Sequence, residues 1–293
     1  MRTPNPFRGL GIALVTPFTP SGDVDYPALR ALVEEDIAAG ADFLCVLGTT
    51  AETPTLSAEE RAAIMQTVRE VNAARVPLIL GCGSNCTADV CRYLTTADLA
   101  GYDGVLIVTP YYNKPTQEGL YQHYKAIAEA SPLPVVLYNV PSRTGVNLEA
   151  STTLRIAADC DNVVAVKEAS GRIQQIEDIV AAAPEGFEVI SGDDAITLEL
   201  LTVGAVGVIS VIGNAYPLDF GEMVHAALAG DYTEALALHR SFSDLYKLMG
   251  VEGNPVGIKC LLCVMEKIGP THRLPLVPAS AGTRERIREA MKA

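Results

Sequence analysis

Eight short, apolar, β-branched runs recur over the first 210 residues, each separated from the next by room for one helix, and few folds accommodate that pattern. They fall at 10–16, 43–47, 78–82, 105–108, 135–138, 163–166, 188–190 and 206–210. Most are continuously apolar, as parallel strands buried on both faces are. Helix signals lie between them. Asp25 is placed to cap a helix with Leu29, Leu32, Val33 and Ile37 on one face, ending near Gly40. Ser57-Ala58-Glu59-Glu60 reads as a capping box ahead of Ile64, Val68 and Val71. Thr87, Thr116 and Asn147 are placed to open the following helices. Gly40-Ala41-Asp42, Gly101-Tyr102-Asp103-Gly104 and Gly204-Ala205-Val206-Gly207 repeat a small-residue turn from helix end into strand, an echo of about 25–35 residues, the length of a βα step.

Eight such units with no break in composition predict an α/β fold, a closed (β/α)8 TIM barrel, over an open doubly wound sheet. No Gly-x-Gly-x-x-Gly follows the first strand and no Gly-x-x-x-x-Gly-Lys-Ser/Thr occurs, so the sequence signatures of nucleotide binding are missing. Strand signals stop after Ser210, and 216–292 reads as helices broken near Gly230, Gly250 to Pro255 and Gly269 to Pro278. The predicted organisation is therefore a barrel over 1–215 that carries the active site and a C-terminal helical extension over 216–293.

Composition narrows the partners. The formal net charge is −13, a poor match to a nucleic-acid backbone, which Lys and Arg must neutralise. No apolar run reaches the roughly eighteen residues of a membrane span, and Met1-Arg2-Thr3-Pro4-Asn5-Pro6 is not followed by the apolar core of a secretory signal. Seven cysteines, mostly within apolar segments, fit reduced thiols in a cytoplasmic protein better than a disulfide framework. Cys260-x-x-Cys263 lacks the companion ligands of a zinc site and reads as buried core; no metal is expected.

In a (β/α)8 barrel the chemistry sits at the carboxyl ends of the strands. Those ends deliver Thr16-Pro17, Gly48-Thr49-Thr50-Ala51-Glu52, Thr109-Pro110-Tyr111-Tyr112-Asn113, Tyr138-Asn139-Val140-Pro141-Ser142-Arg143-Thr144-Gly145, Lys167-Glu168-Ala169-Ser170-Gly171 and Ser191-Gly192-Asp193-Asp194. Lys167 is the most informative, because desolvation at a barrel mouth favours a neutral amine able to attack a carbonyl. From position alone it could equally pair with Glu168 or reach solvent. Thr49, Thr50, Tyr111, Tyr112 and Tyr138 gather hydroxyls at the same end, suited to the proton transfers that imine chemistry needs. The guanidinium fork of Arg143 matches a carboxylate. The four histidines fall in helical or tail segments, and Asp193-Asp194 fits a helix N-terminus better than a cation site.

Six of these motifs, in order, resemble the dihydrodipicolinate synthase family of pyruvate-dependent class I aldolases: Gly48-Thr49-Thr50-Ala51-Glu52, Thr109 to Asn113, Gln117-Glu118-Gly119-Leu120-Tyr121-Gln122-His123-Tyr124, Tyr138 to Gly145, Val166 to Gly171 and Ser191 to Asp194. The resemblance implies that Lys167 forms an imine with pyruvate and needs no other cofactor, and that Tyr138 is the acid/base beside it. It places Thr49 or Thr50, with Thr49 the closer match, between Tyr138 and Tyr112 in a proton relay, assigns Thr50 to substrate binding, and has Tyr112 reached across a subunit interface. Arg143 would receive the carboxylate of aspartate semialdehyde, and the backbone near Gly192 and Ile209 would complete the pyruvate pocket. A homotetramer built from dimers, acting in the cytoplasm in diaminopimelate and lysine biosynthesis, is implied.

The same resemblance marks an allosteric pocket at Asn85, Tyr111 and Asp89. Ala58 and Arg61 stand where lysine-inhibited relatives often carry His, and Asp89 where a longer Glu is common, which argues against feedback by lysine. Ala51 replaces a usual glycine; if that position requires a positive φ, alanine costs about 1 kcal/mol there. Two other functions compete: a 2-keto-3-deoxy sugar-acid or N-acetylneuraminate lyase that keeps the imine, and a non-catalytic keto-acid-binding barrel. Arg143 favours the synthase over the first, and the complete set of relay hydroxyls disfavours the second.

Overall fold

The computed structural model describes residues 3–291; Met1 and Arg2 of the N-terminal segment, and Lys292 and Ala293 of the tail, lie outside the described residues. Eight parallel strands close into a barrel in chain order. They are β1 (Gly9–Ala13), β2 (Phe43–Val46), β3 (Leu78–Gly81), β4 (Gly104–Val108), β5 (Val135–Asn139), β6 (Val163–Glu168), β7 (Glu188–Ser191) and β8 (Gly207–Ser210). All eight expected strands are present. Almost every strand residue is buried, which is why the runs are continuously apolar.

The chain divides into two compact units. The first holds the residues up to Arg8 together with Pro77–Ile209. It contains α3 (Thr87–Thr96), α4 (Gln117–Ala130), the one-turn α5 (Pro141–Thr144), α6 (Ala150–Asp159), α7 (Ile173–Ala182) and α8 (Thr197–Thr202), alternating with strands β3 to β7 and most of β8. Thr116 caps α4 as expected, accepting from the Gly119 N–H at 3.2 Å. Two other expected caps are corrected. Glu149, not Asn147, is the N-cap of α6, and Thr87 lies inside α3 behind Cys86, with its hydroxyl 2.8 Å from His123 Nδ1. Asp193 does cap the turn after β7, accepting from the Ala195 N–H at 3.1 Å.

The second unit holds Gly9–Val76 and the residues from Ser210 onward. It contains α1 (Tyr26–Ala38), α2 (Ala58–Asn72), α9 (Pro217–Leu228), α10 (Tyr232–Ser241), α11 (Ser243–Val251), α12 (Val256–Val264) and α13 (Ala281–Ala290). Asp25 caps α1 through the Ala28 N–H, and Ser57 and Glu60 form the reciprocal capping box of α2. The helix after β8, α9, packs against β1 and so continues the strand–helix alternation. Cys260 and Cys263 both lie in α12, Cys260 buried; among the described residues, which include all seven cysteines, no disulfide forms. No described helix is long and apolar enough to cross a membrane.

Candidate active site

The register of β5 against β6 sets Tyr138 opposite Lys167 and Asn139 opposite Glu168. Because strand side chains alternate in direction, the first pair shares one face and the second pair the other. Lys167 is 6 % exposed and its Nζ lies 4.5 Å from the centre of the Tyr138 ring. Gly192, at the end of β7, comes closer still to the lysine stem. A Cβ built there would lie 2.9 Å from Lys167 Cε and 2.9 Å from the Ala169 side chain, so only glycine leaves the ammonium end room to move. Ile209 is buried in β8.

Lys167 does not pair with Glu168. The Glu168 carboxylate, fully buried on the opposite face, accepts from Asn139 Nδ2 at 2.8 Å, Ser170 Oγ at 2.6 Å and Gln175 Nε2 at 3.2 Å. Burial pushes its pKa up, and the hydrogen bonds from Ser170, Asn139 and Gln175 oppose that shift. Asn139 also donates to Asn147 Oδ1 at 3.0 Å and accepts from the Leu148 N–H at 2.9 Å. Asn147 in turn donates to Gln175 Oε1 at 2.8 Å. A helix cap was the local reading of Asn147; its tertiary partners outcompete that use. This amide–carboxylate cluster stands directly behind Tyr138 and Lys167 in the chain and pins both strand ends.

Beyond β5 the chain makes the single turn of α5, which places Arg143 at the surface, and Gly145 closes it at φ 70°. Thr144 anchors the turn: its hydroxyl donates to the Val146 carbonyl at 2.9 Å and receives that of Thr109 at 3.3 Å. Past β4, Tyr111 is 41 % exposed and Tyr112, at φ 69°, is 90 % exposed. Asn85 donates to the Tyr111 carbonyl at 3.2 Å, so those two expected neighbours meet. Asp89, on the exposed face of α3, pairs instead with Arg92 at 2.9 Å.

In the second unit, Thr49, Thr50 and Ala51 form one 3-10 turn after β2, with Thr50 buried and Thr49 half-buried. Ala51 does not have a positive φ. The left-handed residues are Leu47 at 56° and Glu52 at 55°, so alanine carries no conformational penalty at position 51. Thr16 donates to the Ala51 carbonyl at 2.8 Å, and Thr53 donates to the carbonyls of Leu47 and Gly48 at 2.9 and 3.0 Å. Asn254 Nδ2 donates to Thr50 Oγ1 at 3.0 Å. Sequence reasoning missed Asn254, and also the buried pair of Glu52 with Lys259; a Lys in the apolar run Val256 to Val264 was the available signal. Among the described residues no group of three or more His, Cys, Asp and Glu side chains is arranged to hold a metal ion.

Fold and strand-end chemistry together define the class: a (β/α)8-barrel enzyme of the lyase type. The chain belongs to the dihydrodipicolinate synthetase family, which it matches over residues 6–293. It is 56 % identical to the 4-hydroxy-tetrahydrodipicolinate synthase of Phocaeicola vulgatus, over 96 % of this chain and 95 % of that one. Among solved structures it is similar to dihydrodipicolinate synthase from Thermotoga maritima, with a TM-score of 0.96, 44 % identity and 98 % of each chain covered. It is also similar to the chloride-inhibited dihydrodipicolinate synthase of Acinetobacter baumannii complexed with pyruvate, with a TM-score of 0.94, 41 % identity and coverage of 97 % of this chain and 98 % of that one.

Proposed function

We propose that this chain condenses pyruvate with L-aspartate 4-semialdehyde to give 4-hydroxy-tetrahydrodipicolinate, through a Schiff base on Lys167. The activity is that of a lyase of the diaminopimelate and lysine pathway, with pyruvate itself as the covalent partner and no metal or other cofactor required. The observation that carries the reading is the placement of Lys167: buried at a strand end, beside Tyr138, and free of the neighbouring Glu168 carboxylate.

The chemistry follows from those positions. The neutral Lys167 amine adds to the pyruvate ketone, and the carbinolamine loses water to give the imine. Tyr138, one oxygen able to donate and accept, carries protons to and from that centre. Loss of a C3 proton gives the enamine, whose C3 attacks the aldehyde. The amino group of the second substrate then adds to the imine carbon and expels Lys167, so one water is released overall. Thr49 and Tyr112 extend the relay, Thr50 and the backbone at Gly192 and Ile209 hold pyruvate, and Arg143 receives the carboxylate of the aldehyde substrate.

Tyr112, 90 % exposed on the isolated chain, is accessible to a second copy, as a role across a subunit interface requires. We infer a homotetramer built from dimers, acting in the cytoplasm, with residues 1–215 supplying the strands and strand-end loops of the catalytic barrel and 216–293 its last helix and the extension. Regulation by lysine at Asn85, Tyr111 and Asp89 is disfavoured by Ala58 and Arg61 and by the short Asp89 side chain, which pairs with Arg92. Turnover assays with pyruvate plus aspartate semialdehyde, run beside N-acetylneuraminate and 2-keto-3-deoxy sugar acids, test the assignment. Turnover of the first pair should dominate; preferential cleavage of a sugar acid overturns it in favour of the lyase reading.

A further inference from the structure

The turn that carries Thr49 and Thr50 is held by charges that the reaction does not consume. Glu52, immediately after the turn, is buried and left-handed at φ 55° and ψ 32°. Its Oε1 accepts from Lys259 Nζ at 2.5 Å, with both side chains fully buried. Its Oε2 accepts from the Arg273 backbone N–H at 3.2 Å. The Arg273 guanidinium donates to both carboxylate oxygens of Glu60 and to the carbonyls of Gly22 and Thr55, each carbonyl at 2.9 Å. The centre of the Phe18 ring lies 4.4 Å from Lys259 Nζ and 4.6 Å from Arg273 Cζ.

A fully buried ion pair contributes little net stability compared with apolar residues of the same volume, so stability does not account for it. Non-glycine residues in the left-handed region persist only where their surroundings over-determine them. Here the over-determination falls on one residue, and the backbone it bends belongs to the threonine turn.

We propose that Lys259 and Arg273 are positioning residues for the Thr49–Thr50 turn: Lys259 through its ammonium, and Arg273 through a backbone N–H that its guanidinium fixes against Glu60, Gly22 and Thr55, clamp Glu52 and so set where the two hydroxyls stand. The inference rests on the proposed role of those threonines in the proton relay. The clamp acts on turnover through the threonines and does not touch substrate.

The test compares Thr49→Val, Arg273→Gln and the pair Glu52→Gln/Lys259→Met, which exchanges a buried ion pair for neutral groups of similar volume and so keeps the core filled. Each is assayed well below its own melting temperature for kcat, KM for pyruvate and borohydride trapping of the imine. The pair variant should lose ten- to a hundredfold in kcat, and Arg273→Gln three- to tenfold. KM for pyruvate should stay within threefold and imine trapping should persist. Adding Thr49→Val to the pair variant should cost far less than Thr49→Val costs alone, because both remove the same contribution.

A purely structural pair would lower the melting temperature yet leave kcat of the folded enzyme within twofold and the costs additive. That result, with Thr49→Val strongly impaired, overturns the clamp alone. Thr49→Val with unchanged kcat overturns the relay and the clamp together. If the pair variant does not fold, Arg273→Gln, at the more exposed end, decides by the same kcat criterion.

Discussion

The two strand-borne residues and the two threonines reach their positions by different means. Tyr138 and Lys167 sit opposite each other in the β5–β6 register, so the barrel ladder places them, and a cluster of neutral amides around Glu168 locks the strand ends from the other face. Thr49 and Thr50 stand on a turn bounded by left-handed Leu47 and Glu52, with no ladder to place them. That turn needs a dedicated clamp, and the clamp is made of buried charge. A catalytic group on a regular element inherits its geometry from the fold, whereas one on a turn requires side chains committed to holding it.

The comparison breaks first at Tyr138. Tyr138→Phe keeps the ring beside Lys167 and removes only the hydroxyl, so kcat should fall about 10²–10⁴-fold, as loss of a general acid/base does. An unchanged kcat would show that the strand pair supplies position without proton transfer. Arg143→Ala comes next. It should lower kcat/KM for aspartate semialdehyde by up to about 2–5 kcal/mol, the range for truncating one partner of a charge pair that is buried and hydrogen-bonded once the substrate is bound, while imine trapping with pyruvate alone persists.

Smaller effects sharpen the view from behind the strands. Glu168→Ala strands the donors of Asn139, Ser170 and Gln175, and should cost about 1–3 kcal/mol of stability for each donor left buried and unpaired; Glu168→Gln keeps most of the cluster and should cost far less. Because burial raises the Glu168 pKa, the folded state holds that proton more tightly than the unfolded chain does. Its contribution to stability is therefore complete below the unfolded carboxylate pKa and declines as pH rises through the folded one. Chemical denaturation across pH should show this decline flattened in Glu168→Gln.

Glu60 has the opposite sign. Hydrogen bonds from Arg273 hold its pKa at about 2 against an ordinary 4.5. Its contribution is present above pH 4.5 and is lost as pH falls towards 2. Glu60→Gln should lower the melting temperature slightly at pH 7, by the equivalent of about 1 kcal/mol or less for a partly exposed pair, and the difference from the parent chain should vanish near pH 2.

The barrel was legible because its eight buried strands are written as eight short, mostly continuous apolar runs, a one-dimensional signal that needs no tertiary knowledge. The strand-end positions of Lys167, Tyr138 and Arg143 were legible because Tyr138 ends one run, Lys167 directly follows another, and Arg143 stands on the turn beyond Tyr138. Three things were not. Asn147 has the local chemistry of a cap, but its partners are Asn139, at the end of β5, and Gln175, on α7 of the following βα unit. Glu52 and Lys259 are 207 residues apart and meet only in the folded chain. The positive φ expected at Ala51 falls on Leu47 and Glu52 instead, since a motif locates a tight turn without saying which residue takes the positive φ.

The central claim is that Lys167 forms an imine with pyruvate. Borohydride added to the enzyme in the presence of pyruvate, followed by peptide mass analysis, measures it directly. The account predicts a stable increment of the reduced pyruvate adduct on the peptide containing Lys167, and none in Lys167→Ala. An adduct on another lysine, or no adduct in an enzyme that still turns over, would contradict it.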